Sequence, residues 1–315
     1  MRALVTGGAG FIGSNLVELL QSEGHQVVVL DDLSSGYAEN LREGAHFVEG
    51  DVSVEGVAES AAKGCDVIIH LAASVGNTRS IDNPMRDSEI NVIGTLRVLE
   101  AARSNGIRRV VASSSAGIFG ELKTLPIAED HPQDPDSPYG VSKLAAEKMC
   151  LVYNKLYSMS NVCLRYFNVY GRRQRYDAYG NVIPIFAEKM LRRQPITIFG
   201  DGEQTRDFVH VTDVAMANYL SAVSAEAAGA FNIGSASRVT INELARLMSE
   251  SISEPVEIVH GDPRPGDVRD SLAAVEAAGS AFGFNPAMDL ATGLTDYLEW
   301  LRDDPVTAAR WAAVG

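Results

Sequence analysis

Short runs of β-branched and aliphatic residues alternate with longer amphipathic stretches along the first half of the chain. This alternation is typical of βαβ units, in which each helix crosses back over a parallel sheet. The predicted strands are residues 3–6, 26–30, 46–49, 67–70, 110–113 and 162–166, and the predicted helices are about 14–23, 54–63, 84–104 and 138–157. The order predicts an α/β fold with a doubly wound parallel (Rossmann) sheet.

The pattern loosens after Tyr166 into loops that contain Gly, Arg and Pro. Further helices are predicted at 183–191, at about 214–224 and at about 241–251, and further strands at 196–199 and 208–211. No internal repeat and no Pro-, Gly- and Ser-rich linker separates the two parts. We therefore expect a smaller C-terminal α/β domain that is closely fused to the first.

The charge of the chain restricts its partners. The 315 residues, 46% apolar and 22% charged, have the composition of an ordinary globular protein, and the formal net charge is -14. This charge would repel a polyanion, so we expect neither nucleic acid nor an acidic membrane surface as a partner. A phosphorylated ligand would need a local cluster of arginines.

The cysteines and histidines do not indicate a metal site. Cys65, Cys150 and Cys163 are odd in number and show no metal-type spacing, so they are interpreted as buried thiols in a reducing compartment. The six histidines are scattered. The chain begins directly with a predicted strand and contains no apolar run of about 18 residues. We therefore expect a cytoplasmic protein without a metal.

A glycine-rich segment, TGGAGFIG at residues 6–13, follows the first predicted strand and opens the first predicted helix. Such glycines allow a tight turn and the close approach of a pyrophosphate. The second strand ends at Asp31 and Asp32, where a carboxylate would receive the ribose hydroxyls; the alternative is that Asp31 only caps the following turn. Residues 31–41 contain no Arg or Lys, which favours NAD over NADP. Asp51 would hold the adenine edge or simply end a strand.

A candidate catalytic pair lies in the segment SPYGVSK at residues 137–143, which begins a helix with Ser137 as its N-cap. Tyr139 and Lys143 are four residues apart and share one face of that helix. A cation about 4 Å away contributes about 4 kcal/mol at a dielectric of about 20, which brings the pKa of a phenol towards neutrality, while burial opposes the shift. Tyr139 is therefore a base only with Lys143 beside it. A Tyr and a Lys four residues apart also occur as an ordinary exposed pair of side chains on a helix.

Ten short sequence motifs lie along almost the whole chain. They are TGGAGFIG at residue 6, HLAAS at 70, NVIGTL at 91, SSSAGIFG at 113, SPYGVSK at 137, RYFNVYG at 165, VIPIF at 182, ITIFGDG at 196, TRDFVHVTDV at 205 and RPGD at 264. In this set the chain resembles the extended short-chain dehydrogenase/reductases and, within them, the UDP-galactose (UDP-glucose) 4-epimerase family. One departure is Arg172, which stands where a proline commonly follows the NVYG segment.

The resemblance implies roles for particular residues. Ser115 would bind the reacting hydroxyl, Tyr139 would move its proton, and Lys143 would bind the nicotinamide ribose and tune Tyr139. The implied cofactor contacts are Gly7, Gly10, Phe11, Ile12, Gly13, Asp31, Asp32, Asp51, Val52, Leu71, Ala72, Ala73, Asn91, Tyr139, Lys143 and Tyr166. The implied substrate contacts are Ser115, Asn168, Asn181, Thr197, Arg206, Arg264, Asp267 and Ser271. Arg206 and Arg264 would supply positive charge around the nucleotide.

The resemblance also implies a domain organisation and an oligomeric state. Residues 1–170, with returning segments at about 205–235, would form the NAD-binding Rossmann domain, and residues 171–315 mainly an interleaved UDP-sugar-binding domain. A homodimer would form through the helices at 84–104 and 138–157. The apolar positions available for it are Leu96, Leu99, Leu144, Leu151 and Leu156; the alternative is that all of them face their own sheet.

The expected reaction is inversion of carbon 4 of a UDP-hexose through a transient 4-keto sugar. Relatives that dehydrate or decarboxylate the sugar carry an acidic residue where this chain has Ala116 and Gly117. Ser271 in place of a bulky tyrosine would admit UDP-N-acetylglucosamine as well as UDP-glucose. The alternatives are a UDP-glucuronate 4-epimerase, with Arg175 pairing the carboxylate, an NDP-sugar dehydrogenase that releases a keto sugar, and a non-catalytic dinucleotide-binding module.

Overall fold

The computed structural model describes residues 1–175, 181–252, 256–263 and 269–304. Its strands are β1 (Arg2–Thr6), β2 (Gln26–Asp31), β3 (His46–Glu49), β4 (Val67–His70), β5 (Val110–Ser115), β6 (Val162–Tyr166), β7 (Asn168–Tyr170), β8 (Ile196–Phe199), β9 (Thr205–Arg206), β10 (Phe208–His210), β11 (Gly229–Ile233), β12 (Val239–Thr240) and β13 (Ile258–Gly261). Its α-helices are α1 (Phe11–Ser22), α2 (Val57–Ala61), α3 (Asn77–Asp82), α4 (Pro84–Ser88), α5 (Thr95–Ser104), α6 (Pro138–Tyr157), α7 (Val182–Leu191), α8 (Val211–Val223), α9 (Ile241–Ile252), α10 (Glu276–Phe282) and α11 (Leu290–Asp303).

The central sheet has seven strands in the order β11-β6-β5-β4-β1-β2-β3, and every neighbouring pair is parallel. The chain therefore builds the sheet outwards from β1 in two directions, which is the doubly wound Rossmann arrangement that the sequence predicts. The order reverses between β1 and β4, where Leu4 lies between Val28 and Ile68. In such sheets, ligands bind at the carboxyl ends of the strands beside this reversal.

Both faces of the sheet are buried. Ala3 and Val5 belong to one apolar cluster, with residues of α1, α8 and α10, while Leu4 belongs to another, with residues of α2, α5 and α6. Successive side chains of a strand point to opposite faces, so a strand that is covered on both sides must be apolar at consecutive positions. This explains why the strands appear in the sequence as short continuous apolar runs.

A third apolar cluster lies outside the central sheet and joins β7, β8 and β10 to α7, α9 and α11. Three two-stranded sheets accompany it: β7 with β10 and β8 with β13, both parallel, and β9 with β12, antiparallel. Within the described residues, no helix is long and apolar enough to span a membrane, and no group of His, Cys, Asp and Glu is placed to hold a metal ion. Cys65, Cys150 and Cys163 are buried and free.

The structure departs from the sequence predictions at several places: α3, β7, α10 and α11 were not predicted, and some residues of α3 and β7 line the cavity described below. The single helix predicted at 84–104 is divided, because α4 ends at Ser88 and one turn of π-helix, Glu89–Gly94, precedes α5. The wider turn places Asn91 in the interior, where its side chain hydrogen-bonds to Ser74, Asp87 and Ser142. Strand β11 was not predicted, since its sequence GAFNI shows neither a clear alternation nor a β-branched run.

Candidate active site

A cavity of about 620 Å³ opens at the carboxyl ends of the strands, on both sides of the point where their order reverses. This volume lies within the range of about 300–1,000 Å³ that is usual for ligand sites. Many of the residues predicted from the sequence line it. They are Gly7, Gly10, Phe11, Ile12, Gly13, Asp31, Asp32, Asp51, Val52, Leu71, Ala72, Ala73, Ser115, Tyr139, Lys143, Tyr166, Asn168 and Asn181.

The glycine loop between β1 and α1 is packed for close approach. A Cβ on Gly7 would lie 2.6 Å from the Ala72 nitrogen, and one on Gly13 would lie 2.1 Å from the Gly7 oxygen. A Cβ on Gly10 would meet nothing closer than that same oxygen, at 3.2 Å. Gly7 and Gly13 are therefore required by the fold of the loop itself. At Gly10, which lines the cavity, the missing side chain instead leaves room for a ligand.

The amino terminus of α1 adds to this fit for a dinucleotide. Gly10 is its N-cap and has no side chain to accept a bond from the first-turn N–H groups. Such groups, together with the helix dipole, stabilise a phosphate placed before them. The loop and the helix end thus suit the pyrophosphate of NAD.

The carboxylates at the end of β2 both line the cavity, and both also order the loop that follows. Asp31 accepts hydrogen bonds of 2.9 Å from the backbone nitrogens of Ala9 and Leu33. Burial raises the pKa of Asp31, and these two bonds partly oppose that rise. Asp32 accepts from the backbone nitrogen and the hydroxyl of Ser34, at 3.0 and 2.6 Å. The capping role of Asp31 is therefore real, and a contact with the ribose remains a prediction.

Asp51, after β3, is held by a cation. Its Oδ2 accepts from Arg86 at 2.7 Å, and its Oδ1 accepts from the nitrogen and the hydroxyl of Ser53, each at 2.7 Å. Burial would raise the pKa of Asp51, but the bonds from Arg86 and Ser53 outweigh it and lower that pKa. Asp51 therefore presents a fixed, ionised carboxylate at the cavity wall.

Tyr139, Ser115 and Lys143 meet at the wall below the sheet ends. Ser137 caps α6 through a 3.1 Å bond from the Gly140 nitrogen to its hydroxyl, so the helix begins at Pro138, one residue before Tyr139. The Tyr139 phenol hydrogen-bonds with Ser115 at the end of β5. The Ser115 hydroxyl also accepts from the Gly117 nitrogen at 3.1 Å. The serine is thus fixed between the backbone and the phenol.

Lys143 lies one turn further along α6 and is 5% exposed. Its Nζ donates to the Ser113 hydroxyl at 3.1 Å. Burial lowers the pKa of Lys143 to about 8. On the other side, burial and the charge of Lys143 lower the pKa of His70 to about 3, so this histidine is neutral. Lys143 is therefore a buried cation near neutral pH.

The electrostatics of Tyr139 differ from the expectation that a neighbouring cation lowers its pKa. Burial raises the pKa of Tyr139, the hydrogen bond with Ser115 lowers it in part, and the Asp87 carboxylate raises it further. The reason is that Lys143 is itself buried and directs its ammonium group at Ser113. The protein alone keeps the phenol protonated, so a ligand must contribute if the phenol is to ionise.

The predicted substrate contacts divide between the cavity lining, which includes Asn168, and positions outside it, which include Thr197 and Arg206. Asn168, which does line it, is anchored because its backbone nitrogen and its Nδ2 both donate to the Asp207 oxygen, at 3.2 and 3.1 Å. Thr197 lies in β8, opposite Val259 of β13. Arg206 lies in β9, where its Nη1 donates to the Thr205 oxygen at 2.8 Å.

Ser271 is 7% exposed, so it does not simply face solvent, but it does not line the cavity either. It lies between Asp270, which accepts from the Thr205 hydroxyl at 2.6 Å, and Ala273, whose nitrogen donates to the Asp207 carboxylate at 3.0 Å. Arg264 and Asp267, the remaining predicted contacts, lie outside the described residues.

Asn91, which the resemblance implies as a cofactor contact, holds a loop of the cavity wall instead of lining the cavity itself. It is buried and does not appear in the cavity wall. Its Oδ1 accepts from the Ser74 nitrogen at 2.9 Å and its Nδ2 donates to the Ser74 oxygen at 3.0 Å. Asn91 therefore holds the loop after β4, whose residues Ala73 and Val75 line the cavity.

Among the described residues, the positive charge at the cavity comes from the predicted Lys143 and from three arginines that sequence reasoning assigned differently or missed. Arg79, Arg173 and Arg175 line it together with Lys143, whereas Arg206 does not. The run RRQR at residues 172–175 was a visible signal for this cluster. Other lining residues that were missed are Ser34, Ser35, Tyr37, Asn40, Val75, Gly76, Asn77, Thr78 and Gln174. Most of them lie in loops, where sequence patterns give little warning.

The loop after β7 is fixed from both sides, although Arg172 replaces the common proline. The Arg172 guanidinium pairs with Asp296 of α11, and its carbonyl oxygen accepts from the Asn15 side chain of α1 at 3.0 Å. Arg173, which has a positive φ of 69°, reaches Glu18 of α1 at 2.7 Å. These bonds hold Arg172 against α11 and Arg173 against α1, and Arg173 lines the cavity.

Comparison with known proteins places this architecture in a large group. The model of the NAD dependent epimerase/dehydratase family matches residues 3–234. A UDP-glucose 4-epimerase of Mycolicibacterium smegmatis is 39% identical over 310 residues, which cover 96% of this chain and 99% of the relative.

Two solved structures superimpose along nearly the whole chain. One is the UDP-glucose 4-epimerase of Thermotoga maritima with UDP-glucose, with a TM-score of 0.92, 38% identity, and coverage of 96% of this chain and 99% of that one. The other is the UDP-N-acetylglucosamine 4-epimerase of Methanobrevibacter ruminantium in complex with UDP-N-acetylmuramic acid, with a TM-score of 0.92, 34% identity, and coverage of 96% and 98%.

Proposed function

The chain belongs to the NAD dependent epimerase/dehydratase family, and from this premise we propose that it is an NAD-dependent UDP-hexose 4-epimerase. One observation carries the proposal. The Ser115, Tyr139 and Lys143 set and the glycine loop line the same cavity, at the sheet edge where a dinucleotide binds. Relatives along the full chain that are named UDP-glucose 4-epimerases support the choice of substrate class.

The chemistry follows from the positions of these side chains. NAD, when bound, supplies the reversible oxidation of sugar carbon 4. The Tyr139 phenolate takes the proton of the carbon 4 hydroxyl and later returns it, and Ser115 holds that hydroxyl in place. With the ligands bound, the buried cation of Lys143 would bind the nicotinamide ribose and help to stabilise the phenolate, which the protein alone keeps protonated. Since the proton and the electrons are both returned, nothing is consumed.

The segment after β5 supports epimerisation over elimination. Ala116 and Gly117 line the cavity beside Ser115 and carry no acid or base. A Cβ on Gly117 would lie 3.8 Å from the Tyr139 ring, so this position borders the reacting centre directly. A 4-keto sugar held there meets no further acid–base group from this segment. It can therefore turn over and be reduced on its opposite face.

We propose that both UDP-glucose and UDP-N-acetylglucosamine, with their 4-epimers, are substrates. The side chain at position 271 is small and buried within the segment that Thr205 and Asp207 anchor. A serine there leaves space beside carbon 2 that a tyrosine would fill. The relative from Methanobrevibacter ruminantium, named for the N-acetylated sugar, is consistent with this range.

UDP-glucuronate is a second candidate, because Arg175 lines the cavity. A guanidinium matches a sugar carboxylate in a two-bond geometry that a lysine cannot provide. In this reading Arg175 would face carbon 5 of the sugar. The substrate panel described next distinguishes the two candidates.

The proposal is tested by incubating the purified protein with UDP-glucose, UDP-N-acetylglucosamine or UDP-glucuronate without added NAD. Chromatography should show the 4-epimer of the accepted sugars, with no net reduction of the cofactor. Tyr139→Phe is the inactive control. Stoichiometric consumption of NAD with release of a keto sugar would instead identify a dehydrogenase, and cofactor binding without any turnover would identify a non-catalytic module.

We also propose a role for each of the two domains and a homodimeric state. Residues 1–170, with the returning segments at about 205–235, bind NAD, and the remainder mainly binds the UDP-sugar. Two copies associate through α3, α4 and α6, where apolar side chains are exposed. The most exposed are Ile81, Met85, Val141 and Leu156. Leu99, in contrast, is fully buried against its own sheet.

A further inference from the structure

A buried carboxylate that the proposed reaction does not use lies beside the catalytic pair. Asp87 of α4 is 1% exposed. Its Oδ1 accepts from the Asn91 Nδ2 at 3.1 Å, and among the described residues its Oδ2 has no hydrogen-bond partner. Burying an ionised carboxylate with one oxygen unsatisfied is costly, so its presence calls for a reason.

A short chain of hydrogen bonds connects Asp87 to the first turn of the catalytic helix. Asn91 Nδ2, which Asp87 holds, also donates to the Ser142 hydroxyl at 3.0 Å. Ser142 in turn donates to the Tyr139 carbonyl oxygen at 3.0 Å. The backbone that carries Tyr139 is thus tied to α4 through Asn91 and Ser142.

The charge of Asp87 acts on both members of the pair. It raises the pKa of Tyr139, and it also raises the pKa of Lys143 against the lowering caused by burial. The other titratable groups that face Lys143 are Glu147, Cys150, Cys163 and His70, and Arg79 lines the same cavity. Glu147 is already matched by Arg165, with bonds of 3.0 and 2.7 Å. Asp87 has no ion pair of this kind among the described residues.

We propose that Asp87 is a positioning residue for the catalytic pair: its buried carboxylate balances the Lys143 cation and, through Asn91 and Ser142, fixes the start of α6. This inference rests on the proposed function. The negative charge keeps Lys143 protonated inside the protein, where burial would otherwise release its proton. Active protein needs Tyr139 ionised and Lys143 charged, so its pH optimum lies midway between the two pKa values. Besides burial and the other facing groups, Asp87 raises both values and therefore moves that optimum to higher pH.

The test compares the pH dependence of kcat and of kcat/KM for the wild type and Asp87→Asn. The amide oxygen keeps an acceptor for Asn91 while the charge is removed. The pKa values of Tyr139 and Lys143 should both fall. The bell-shaped pH profile should therefore move to lower pH by about one unit without becoming narrower. Asp87→Ser repeats the test with a smaller side chain, and Asp87→Glu, which keeps the charge, should restore the original optimum. Asp82→Asn, an exposed carboxylate at the end of α3, is the matched control and should change nothing.

A second measurement does not require turnover. The Tyr139 phenolate is titrated by its ultraviolet absorbance, as the difference between each protein and its Tyr139→Phe counterpart. In Asp87→Asn the phenolate should appear at lower pH. An unchanged optimum together with an unchanged titration would overturn the role of Asp87. A shifted titration in a protein that does not convert UDP-sugars would support Asp87 and overturn only the proposed function.

Discussion

The hydroxyl of Ser115 and the phenol of Tyr139 share a hydrogen bond at the cavity wall, and the serine is held there by the Gly117 nitrogen. The serine thus lies where it can contact both the phenol and a sugar hydroxyl. This arrangement requires only that β5 ends and α6 begins at the same sheet edge.

Tyr139→Phe should reduce turnover of UDP-glucose by about 10²–10⁴-fold, the usual contribution of a positioned proton-transfer group. Bound NAD should be retained, since the ring still fills its place against α4 and β5. Product chromatography and the absorbance of the purified protein measure the two effects. Tyr157→Phe, at the exposed end of the same helix, is the control and should behave as wild type. Near-full activity in Tyr139→Phe would remove this tyrosine from the mechanism.

Lys143→Ala should lower turnover and also weaken NAD retention, because Lys143 is expected to contact the ribose. Loss of activity with unchanged cofactor content would contradict the ribose contact. The ratio of bound NAD to protein after gel filtration gives the measurement.

The variants Gly10→Ala and Gly13→Ala should distinguish a glycine that is needed for NAD binding from one that is needed for the fold of the loop. A Cβ at position 13 would overlap the Gly7 oxygen at 2.1 Å, so the loop must move and the melting temperature should fall. A Cβ at position 10 meets only that oxygen, at 3.2 Å, so this variant should fold with a nearly unchanged melting temperature and a raised Kd for NAD. Calorimetry and NAD titration measure both. Equal destabilisation by the two changes would contradict the distinction.

Ser271→Tyr should lower kcat/KM for UDP-N-acetylglucosamine by about tenfold or more while affecting UDP-glucose much less. The reason is that a phenol at this position would occupy the space proposed for the acetamido group. Ser237→Tyr, at an exposed position, is the control. Melting curves must accompany the kinetics, because Ser271 is buried. Equal losses on both substrates would exclude Ser271 as a determinant of specificity.

Met85→Glu and Leu156→Glu should each shift the protein from dimer to monomer at micromolar concentration. Their side chains are 79% and 66% exposed and belong to the apolar group proposed as the interface, where burying an unpaired charge would be costly. Val223→Glu, on the exposed side of α8, should leave the assembly unchanged. Analytical ultracentrifugation distinguishes these states. A wild-type protein that sediments only as a monomer would refute the dimer.

Some features could be predicted because local chemistry determines them. Helix α6 spans residues 138–157 as predicted, since Ser137 caps it and Pro138 favours its first turn. The cavity position of the glycine loop follows directly from β1 and α1. The pairing of β11 with β6 could not be read in the same way, because it joins Gly229 to Val162 across a long insertion.

The electrostatics of the site were harder to predict for a related reason. The pair of Tyr139 and Lys143 is visible in the sequence, but the effect of burial on each pKa depends on elements that are distant in the chain. Asp87 reaches this pair only because the π-helical turn at 89–94 redirects α4 and turns Asn91 inwards. Such coupling has no signature in a pattern of apolar positions.

The late pairing of β11 has a consequence for synthesis on the ribosome. Strand β6 is complete at Tyr166, but its outer neighbour, Gly229–Ile233, emerges only some sixty residues later. During that interval the sheet ends in an unpaired strand whose five residues are all buried in the finished protein. An unpaired apolar edge readily pairs with other chains. Nascent chains that stall between these two strands should therefore be the aggregation-prone species, and a chaperone would be needed earliest at β6.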